Sequence, residues 1–275
     1  MKEDIGAGDI TTHACVPESA AASGEFIAKQ ELVVAGIELL PIIYSTEIGG
    51  ALSTPPVKVH FAMRFATGAK VPKGEVVAAL VGSAQRLLER ERVALNFVQH
   101  LSGIATLTRR FVDAVDGTGA VILDTRKTTP GWRRLEKLAV AAGGGQNHRM
   151  GLWDAVLIKE NHVKAAGGIR AAVAATRKVG APVEIEVRDR NELHEALEAG
   201  AARILLDNMT PGEVRECVAM ARAAEHPPQV EVSGGVTLDN VREYALAGPD
   251  YISVGALTHS APAADISFLI DEIKV

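Results

Sequence analysis

Apolar and polar positions follow two different textures along the chain. Up to about Ala84 the pattern is irregular: Glu25–Ala35, Val57–Phe65 and Glu75–Val81 alternate with β-branched content and predict strands, and Ile37–Tyr44 has the spacing of a short amphipathic helix. Thr54-Pro55-Pro56 and Val71-Pro72-Lys73-Gly74 read as turns. This pattern predicts a small mixed α/β unit with hairpin-like returns. Leu87–Val115 follows, with Leu95, Val98, Leu101, Ile104 and Leu107 at helical spacing. That spacing predicts one long helix, or two with a bend at Ser102-Gly103.

From Gly119 onward the texture becomes regular. Short apolar runs at Val121–Asp124, Ala155–Lys159, Val183–Val187, Arg203–Asp207, Val230–Ser233 and Tyr251–Val254 predict six strands. Helical patterns at Leu135–Ala142, Ile169–Val179, Arg190–Ala199, Pro211–Ala224 and Leu238–Ala247 separate them. A βα repeat of this kind builds a parallel sheet through right-handed crossovers. A complete eight-stranded barrel would need two more strands. A doubly wound open sheet is the alternative, although no Gly-x-Gly-x-x-Gly follows the first strand to support its dinucleotide-binding version.

The strand ends carry the chemistry. Asp124-Thr125-Arg126-Lys127 closes the first strand, Lys159-Glu160-Asn161-His162 the second, Asp207-Asn208 the fourth, Ser233-Gly234-Gly235 the fifth and Gly255-Ala256 the sixth, while Glu184 and Glu186 alternate within the third. In a parallel barrel these ends meet on one face, where the loops form the site. A solvated surface or a set of helix caps explains any one of them but not the whole succession. Arg126, Lys127, Arg149 and Lys159 suit an anionic ligand, because a guanidinium grips carboxylates and phosphates through two parallel hydrogen bonds. Glu186 and Asp207 offer hard oxygens to Mg²⁺ or to sugar hydroxyls. The two small-residue loops each precede a predicted helix, which would turn backbone N–H groups toward a phosphate. These residues point to a barrel enzyme for a phosphorylated sugar and an acidic co-substrate.

Composition narrows the class further. The net charge is −5 with no long run of one sign, which disfavours binding nucleic acid by bulk charge. No stretch approaches the ~20 apolar residues that a membrane helix needs, and the polar, acidic start is unlike a signal peptide. The two cysteines, Cys15 and Cys217, share no metal-ligand spacing and suit reduced thiols in a cytoplasmic protein. No His-Glu-x-x-His pattern occurs, so a zinc hydrolase is not indicated.

An ordered set of motifs resembles the quinolinate phosphoribosyltransferase family of type II phosphoribosyltransferases. It runs through Glu3-Asp4-Ile5-Gly6-Ala7-Gly8-Asp9-Ile10-Thr11-Thr12, Glu91-Arg92-Val93-Ala94-Leu95-Asn96-Phe97 and Leu101-Ser102-Gly103-Ile104-Ala105-Thr106. It continues through Asp124-Thr125-Arg126-Lys127-Thr128-Thr129-Pro130-Gly131, Gly143-Gly144-Gly145-Gln146-Asn147-His148-Arg149 and Leu157-Ile158-Lys159-Glu160-Asn161-His162. Leu205-Leu206-Asp207-Asn208 and Val254-Gly255-Ala256-Leu257-Thr258-His259-Ser260 complete it. Any one motif is weak; the ordered set covers nearly the whole chain and is specific. Two departures stand out. Family members usually carry a further helix before the first motif, and Glu160 stands where many have Asp.

The resemblance implies an N-terminal α/β sandwich over 1–115, an incomplete α/β (TIM-like) barrel over 116–264 and a tail, 265–275, that returns to the first domain. It implies transfer of phosphoribosyl from phosphoribosyl pyrophosphate to quinolinate with decarboxylation, giving nicotinate mononucleotide, pyrophosphate and CO₂ in NAD biosynthesis, with Mg²⁺ as cofactor. It implies a homodimer with a shared active site, or a hexamer. Thr125, Arg126, His148, Arg149 and Lys159 would hold quinolinate, with Arg92 reaching in from the neighbouring subunit. Lys127, Glu186 and Asp207 would act on the donor, the two carboxylates also holding metal. Ser233, Gly234, Gly235, Gly255 and Ala256 would bind the 5-phosphate. The competing readings are a ModD-like paralogue acting on another acid and a non-catalytic barrel that binds a sugar phosphate.

Overall fold

The computed structural model describes residues 1–46 and 58–274. The expected turn Thr54-Pro55-Pro56 and the first residue of the expected strand Val57–Phe65 lie outside them. The chain divides into two compact units, Met1–Leu107 with the segment from Ala261 onward, and Thr108–Ser260. The family resemblance had set these borders at 115/116 and 264/265.

The first unit begins with two short helices, α1 (Lys2–Ile5) and α2 (Ile10–Cys15). The Asp9 carboxylate caps α2 by accepting from the N–H groups of Thr11 and Thr12. Strand β1 (Ala21–Ala28) buries every second residue, and its inward set includes Phe26 and Ala28. The single strand expected over Glu25–Ala35 is interrupted by the polar Lys29-Gln30-Glu31. The chain resumes as β2 (Leu32–Val33), which leads to α3 (Leu39–Ser45). Then come β3 (His60–Met63), β4 (Lys70–Val71), which pairs with β2, and β5 (Val76–Ser83).

Helix α4 (Ala84–Ala114) is continuous. It runs through Ser102-Gly103 without a break. The Ser102 hydroxyl receives Ala35 N–H at 3.0 Å and donates to its carbonyl at 3.2 Å. A side chain on Gly103 would stand 2.1 Å from the Pro262 carbonyl oxygen, so the glycine is there for close packing.

The last strand of the chain, Ile266–Lys274, pairs antiparallel with β1, and the first unit's sheet holds β1 between that strand and β5, with β3 on the outer edge of β5. Phe26, Leu80, Leu87, Leu95, Val98 and Phe268 belong to its core, and the Phe26 and Phe268 rings are 4.8 Å apart.

The second unit contains six parallel strands: β6 (Val121–Leu123), β7 (Val156–Ile158), β8 (Val183–Val187), β9 (Arg203–Asp207), β10 (Gln229–Ser233) and β11 (Tyr251–Ser253). The C-terminal strand is accordingly β12. Helices α5 (Arg133–Ala142), α7 (Ile169–Thr176), α8 (Arg190–Glu198), α9 (Pro211–Arg222) and α10 (Val241–Leu246) occupy the predicted positions. Between β7 and α7 lies α6 (Glu160–Ala166), which buries none of its residues and so leaves no apolar stripe in the sequence. The one-turn α11 (Ala256–His259) follows β11.

Strand order settles the architecture. From β7 to β11 the strands lie side by side in chain order, and β11 pairs in parallel with β6. A doubly wound sheet reverses direction from a central strand. Here the last strand instead returns to the first, as in a barrel, and a seam falls between β6 and β7. Gln146 partly fills the seam: its N–H donates to Ile122 O at 2.8 Å and its carbonyl accepts from Asp124 N–H at 3.1 Å. Six strands and an open seam, met by Gln146 on its β6 side, stand where a complete barrel would hold eight strands. Among the described residues, no helix is long and apolar enough to cross a membrane.

Candidate active site

The C-terminal ends of the second unit's strands surround a cavity of about 550 Å³. Thr125, Arg126 and Lys127 reach it from the loop after β6, His148 and Arg149 from the seam segment, and Lys159 from the end of β7. Glu186 on β8, Asp207 on β9, Ser233–Gly235 after β10, and Gly255 and Ala256 after β11 complete the wall. Every predicted site residue of the second unit therefore lines this one cavity. Arg92 is on α4 in the first unit.

The cationic wall is incompletely neutralised. Arg126 Nε is buried and has no hydrogen-bond partner among the described residues. Arg149 donates through Nη1 to Ala155 O at 3.1 Å. Burial lowers its pKa, and the nearby charge of Arg126 lowers it further. Two like-charged guanidiniums and an orphaned buried donor are costly unless an anion completes them. Lys159 forms an ion pair with Glu186, and its backbone N–H donates to His162 Nδ1 at 2.9 Å. Lys127 is exposed at the cavity rim.

The opposite wall is mainly backbone. Gly234 and Gly235 have φ of 95° and 63°, where a side chain would be strained. A Cβ on Gly234 would also stand 2.1 Å from Asn208 Oδ1. Asn208 is itself left-handed, with φ 56°; its N–H donates to Ser233 O and its amide nitrogen to Asp207. The loops after β9 and β10 thus fix each other. The N–H groups of Gly234, Gly235 and Gly255 find no acceptor among the described residues. A Cβ on Gly255 would meet Lys127 Cδ at 3.0 Å, so the lysine stem lies across that glycine. One expectation needs correction: Gly234-Gly235 does not open directly into a helix. The first residue of α10 is Val241, after a turn in which Asn240 accepts from Thr237 N–H at 2.7 Å.

Behind the cationic wall lie two buried ion networks that sequence reasoning missed. Lys137 on α5 pairs with Asp124, and both side chains are fully buried. Glu184 accepts from Arg203 Nε at 3.0 Å, and Arg203 also pairs with Glu231 and stacks 4.2 Å from the centre of the Tyr251 ring. Burial raises the Glu231 pKa to about 7, with the charge of Glu184 adding to the effect. Burial opposes ionisation of Glu184 too, but His148 and Arg203 outweigh it and hold that carboxyl below its ordinary value.

His148, Glu184 and Glu231 bring ligand atoms within 4.8 Å of one another, a grouping that could hold a metal. Arg203 already bridges both carboxylates, however, and makes the cluster an ion-pair network. The predicted metal pair, Glu186 and Asp207, faces the cavity instead. Asp207 is half-buried and carries no cation among the described residues, a donor set suited to a hydrated Mg²⁺. The missed residues did carry a signal: Glu184, Arg203 and Glu231 share the inward parity of Glu186, Asp207 and Ser233 on their own strands.

Known proteins bear on this geometry. The family model described as quinolinate phosphoribosyl transferase, C-terminal domain, matches residues 104–269, and that for the N-terminal domain matches 9–102. The chain is 41% identical to a Bacillus subtilis protein described as a probable nicotinate-nucleotide pyrophosphorylase (carboxylating), across 96% of this chain and 89% of that protein. It is likewise 41% identical to the nicotinate-nucleotide pyrophosphorylase (carboxylating) of Mycobacterium leprae, across 97% and 93%. Among solved structures, the nicotinate-nucleotide pyrophosphorylase from Francisella tularensis superimposes with a TM-score of 0.90 at 35% identity, across 98% of this chain and 92% of that one.

Proposed function

The chain belongs to the quinolinate phosphoribosyltransferase family, and from that membership and the cavity we propose that it joins quinolinate to phosphoribosyl pyrophosphate. The products are nicotinate mononucleotide, pyrophosphate and CO₂, a step of NAD biosynthesis. One observation carries the acid assignment: Arg126 and Arg149 stand close enough to oppose each other's charge, and a buried Nε of Arg126 lacks an acceptor. Quinolinate brings two adjacent carboxylates to such a wall. Lys159 would exchange its bond to Glu186 for a substrate carboxylate and leave Glu186 free to face the ribose.

The chemistry then needs no covalent enzyme intermediate. The pyridine nitrogen attacks the anomeric carbon as the carbon–oxygen bond to pyrophosphate breaks, and positive charge grows on the sugar. Glu186 and Asp207 are suited to stabilise that charge, and Lys127 to receive the leaving group. The unpaired N–H groups of Gly234, Gly235 and Gly255, with Ser233 and Ala256, would hold the 5-phosphate. Mg²⁺ held by Glu186 and Asp207 would supply positive charge to the pyrophosphate oxygens. Once alkylated, the ring nitrogen is cationic and stabilises the electron pair left on C2 when the 2-carboxylate leaves as CO₂; that pair then takes a proton from solvent to form the C2–H bond of nicotinate mononucleotide.

The same reading makes the enzyme a homodimer, with Arg92 of one subunit completing the quinolinate pocket of the other. It also places the enzyme in the cytoplasm, where the free thiols Cys15 and Cys217 suit a reducing environment. Incubation with quinolinate, phosphoribosyl pyrophosphate and Mg²⁺ tests the proposal, with formation of nicotinate mononucleotide and CO₂ as the expected result. Turnover of another acid in place of quinolinate would favour a paralogue, and no turnover a sugar-phosphate-binding barrel.

A further inference from the structure

We propose that His148 is a positioning residue rather than a contact of the acid substrate. Both of its ring nitrogens are taken up inside the protein, and the two buried ion networks lock its segment so that Arg149 faces the cavity. The proposal rests on the quinolinate reading for what the cavity binds, but its geometry stands on the chain itself.

The seam segment has little else to hold it. A regular strand in this position would be fixed by ladders on both sides, whereas here, among the described residues, Gln146 alone bridges to β6. Buried ions take over that task. Lys137 Nζ donates to His148 O at 2.9 Å, and His148 N–H donates to Asp124 Oδ1 at 2.8 Å. With its amide nitrogen turned inward, Asn147 donates to Asp124 Oδ2 at 2.7 Å and to Lys137 O at 2.9 Å. A fully buried lysine and aspartate are tolerable only when their remaining hydrogen-bonding capacity is used, and here the Asn147 side chain and the His148 backbone use it. Gly145 allows the approach: a Cβ there would stand 2.8 Å from Thr108 Cγ2 and 2.9 Å from Val140 Cγ1.

The ring itself is held from both ends. Arg149 N–H donates to His148 Nδ1 at 2.7 Å, so Nδ1 is an acceptor and carries no proton. The proton is therefore on Nε2, which lies 3.1 Å from Glu184 Oε2 and 3.6 Å from Glu231 Oε1. Arg203 ties those two carboxylates together and is itself held against Tyr251. A proton on Nδ1 would face the Arg149 N–H directly. The imidazole thus has no nitrogen left for a substrate carboxylate, and its bonds fix the backbone from which the Arg149 side chain departs.

Imidazole ¹⁵N spectra of the whole protein at neutral pH, with and without quinolinate, test this directly, the His148 signals being assigned by loss in His148→Gln. The expected result is a neutral Nε2–H ring in both states. Glu231→Gln, close in shape to the native residue, should give a mixed tautomer population and raise KM for quinolinate about tenfold. It should leave KM for phosphoribosyl pyrophosphate within about twofold, since a misaimed cation weakens one substrate only. A doubly protonated or Nδ1–H ring in the wild-type protein, or a Glu231→Gln variant with unchanged tautomer and unchanged quinolinate KM, would overturn the proposal. If the wild-type protein does not turn over quinolinate, the functional reading fails, while the tautomer measurement still decides this one.

Discussion

The two walls of the cavity are built on opposite principles. On the acid side, side-chain cations stand on a seam where a barrel strand is missing, and buried ion pairs hold them. On the phosphate side, the groups are backbone N–H donors on loops that directly follow two central, fully laddered strands, β10 and β11. The first wall can carry net charge because Asp124, Lys137, Glu184, Arg203 and Glu231 fix its geometry from behind. The second needs no such scaffold; it needs residues without side chains. A wall of aimed charge is therefore sensitive to remote substitutions, and a wall of backbone to any added Cβ.

The largest effect that can test this contrast belongs to the acid side. Arg92→Ala should be nearly inactive alone, because on the proposed reading it removes a cation that one subunit supplies to the other. Mixed with an inactive Lys159→Ala chain, it should regain activity approaching half of wild type per dimer, since one site of the heterodimer then carries neither lesion. Subunit exchange is checked with tagged chains, and verified heterodimers without regained activity would place Arg92 in its own subunit's structure. Next, Lys127→Ala should lower kcat by roughly 10²–10³-fold, the scale of one charge partner of the transition state. Quinolinate binding, measured by calorimetry, should change far less.

Gly234→Ala probes the backbone wall. The added Cβ meets Asn208 at a φ of 95°, so KM for phosphoribosyl pyrophosphate should rise by about tenfold or more, with quinolinate affinity retained. Parallel loss of both affinities would mean that the two walls are not separable. The smallest effect is a pH dependence. Because Glu231 in the folded protein titrates near 7 against an ordinary 4.5, its contribution to stability is full below about 4.5 and is lost as pH rises through 7. Glu184, whose pKa is lowered, works in the opposite direction: its contribution is present above the ordinary value and lost toward acid. Glu231→Gln removes the first dependence, so its Tm relative to wild type should improve between pH 4.5 and 7. A constant difference would remove the shifted carboxyl from the account.

How far the sequence could be read follows the same division. The six strands, their polar ends and the glycine loops were legible, because period-two apolar runs and special turn residues are local signals. The choice of a barrel over an open sheet was legible only through the family resemblance, since β11 pairing with β6 is a long-range fact and the seam has no strand to announce it. Glu231 and Glu184 lay in plain alternation, yet inward parity acquires meaning only when neighbouring strands bring Arg203 between them. Lys137 reads as an ordinary charged helix position, and only the fold shows that it is fully buried. The alternative of two helices meeting at Ser102-Gly103 gave way for a related reason: here the serine and glycine serve close packing within one helix.

The central claim is that the cationic wall is built for two carboxylates. Parallel assays of quinolinate and nicotinate with phosphoribosyl pyrophosphate and Mg²⁺ test it most directly. Nicotinate lacks one carboxylate and leaves buried cations unpaired, so the account predicts that quinolinate is preferred by about 10⁴-fold or more in kcat/KM. Comparable turnover of the two acids would contradict it.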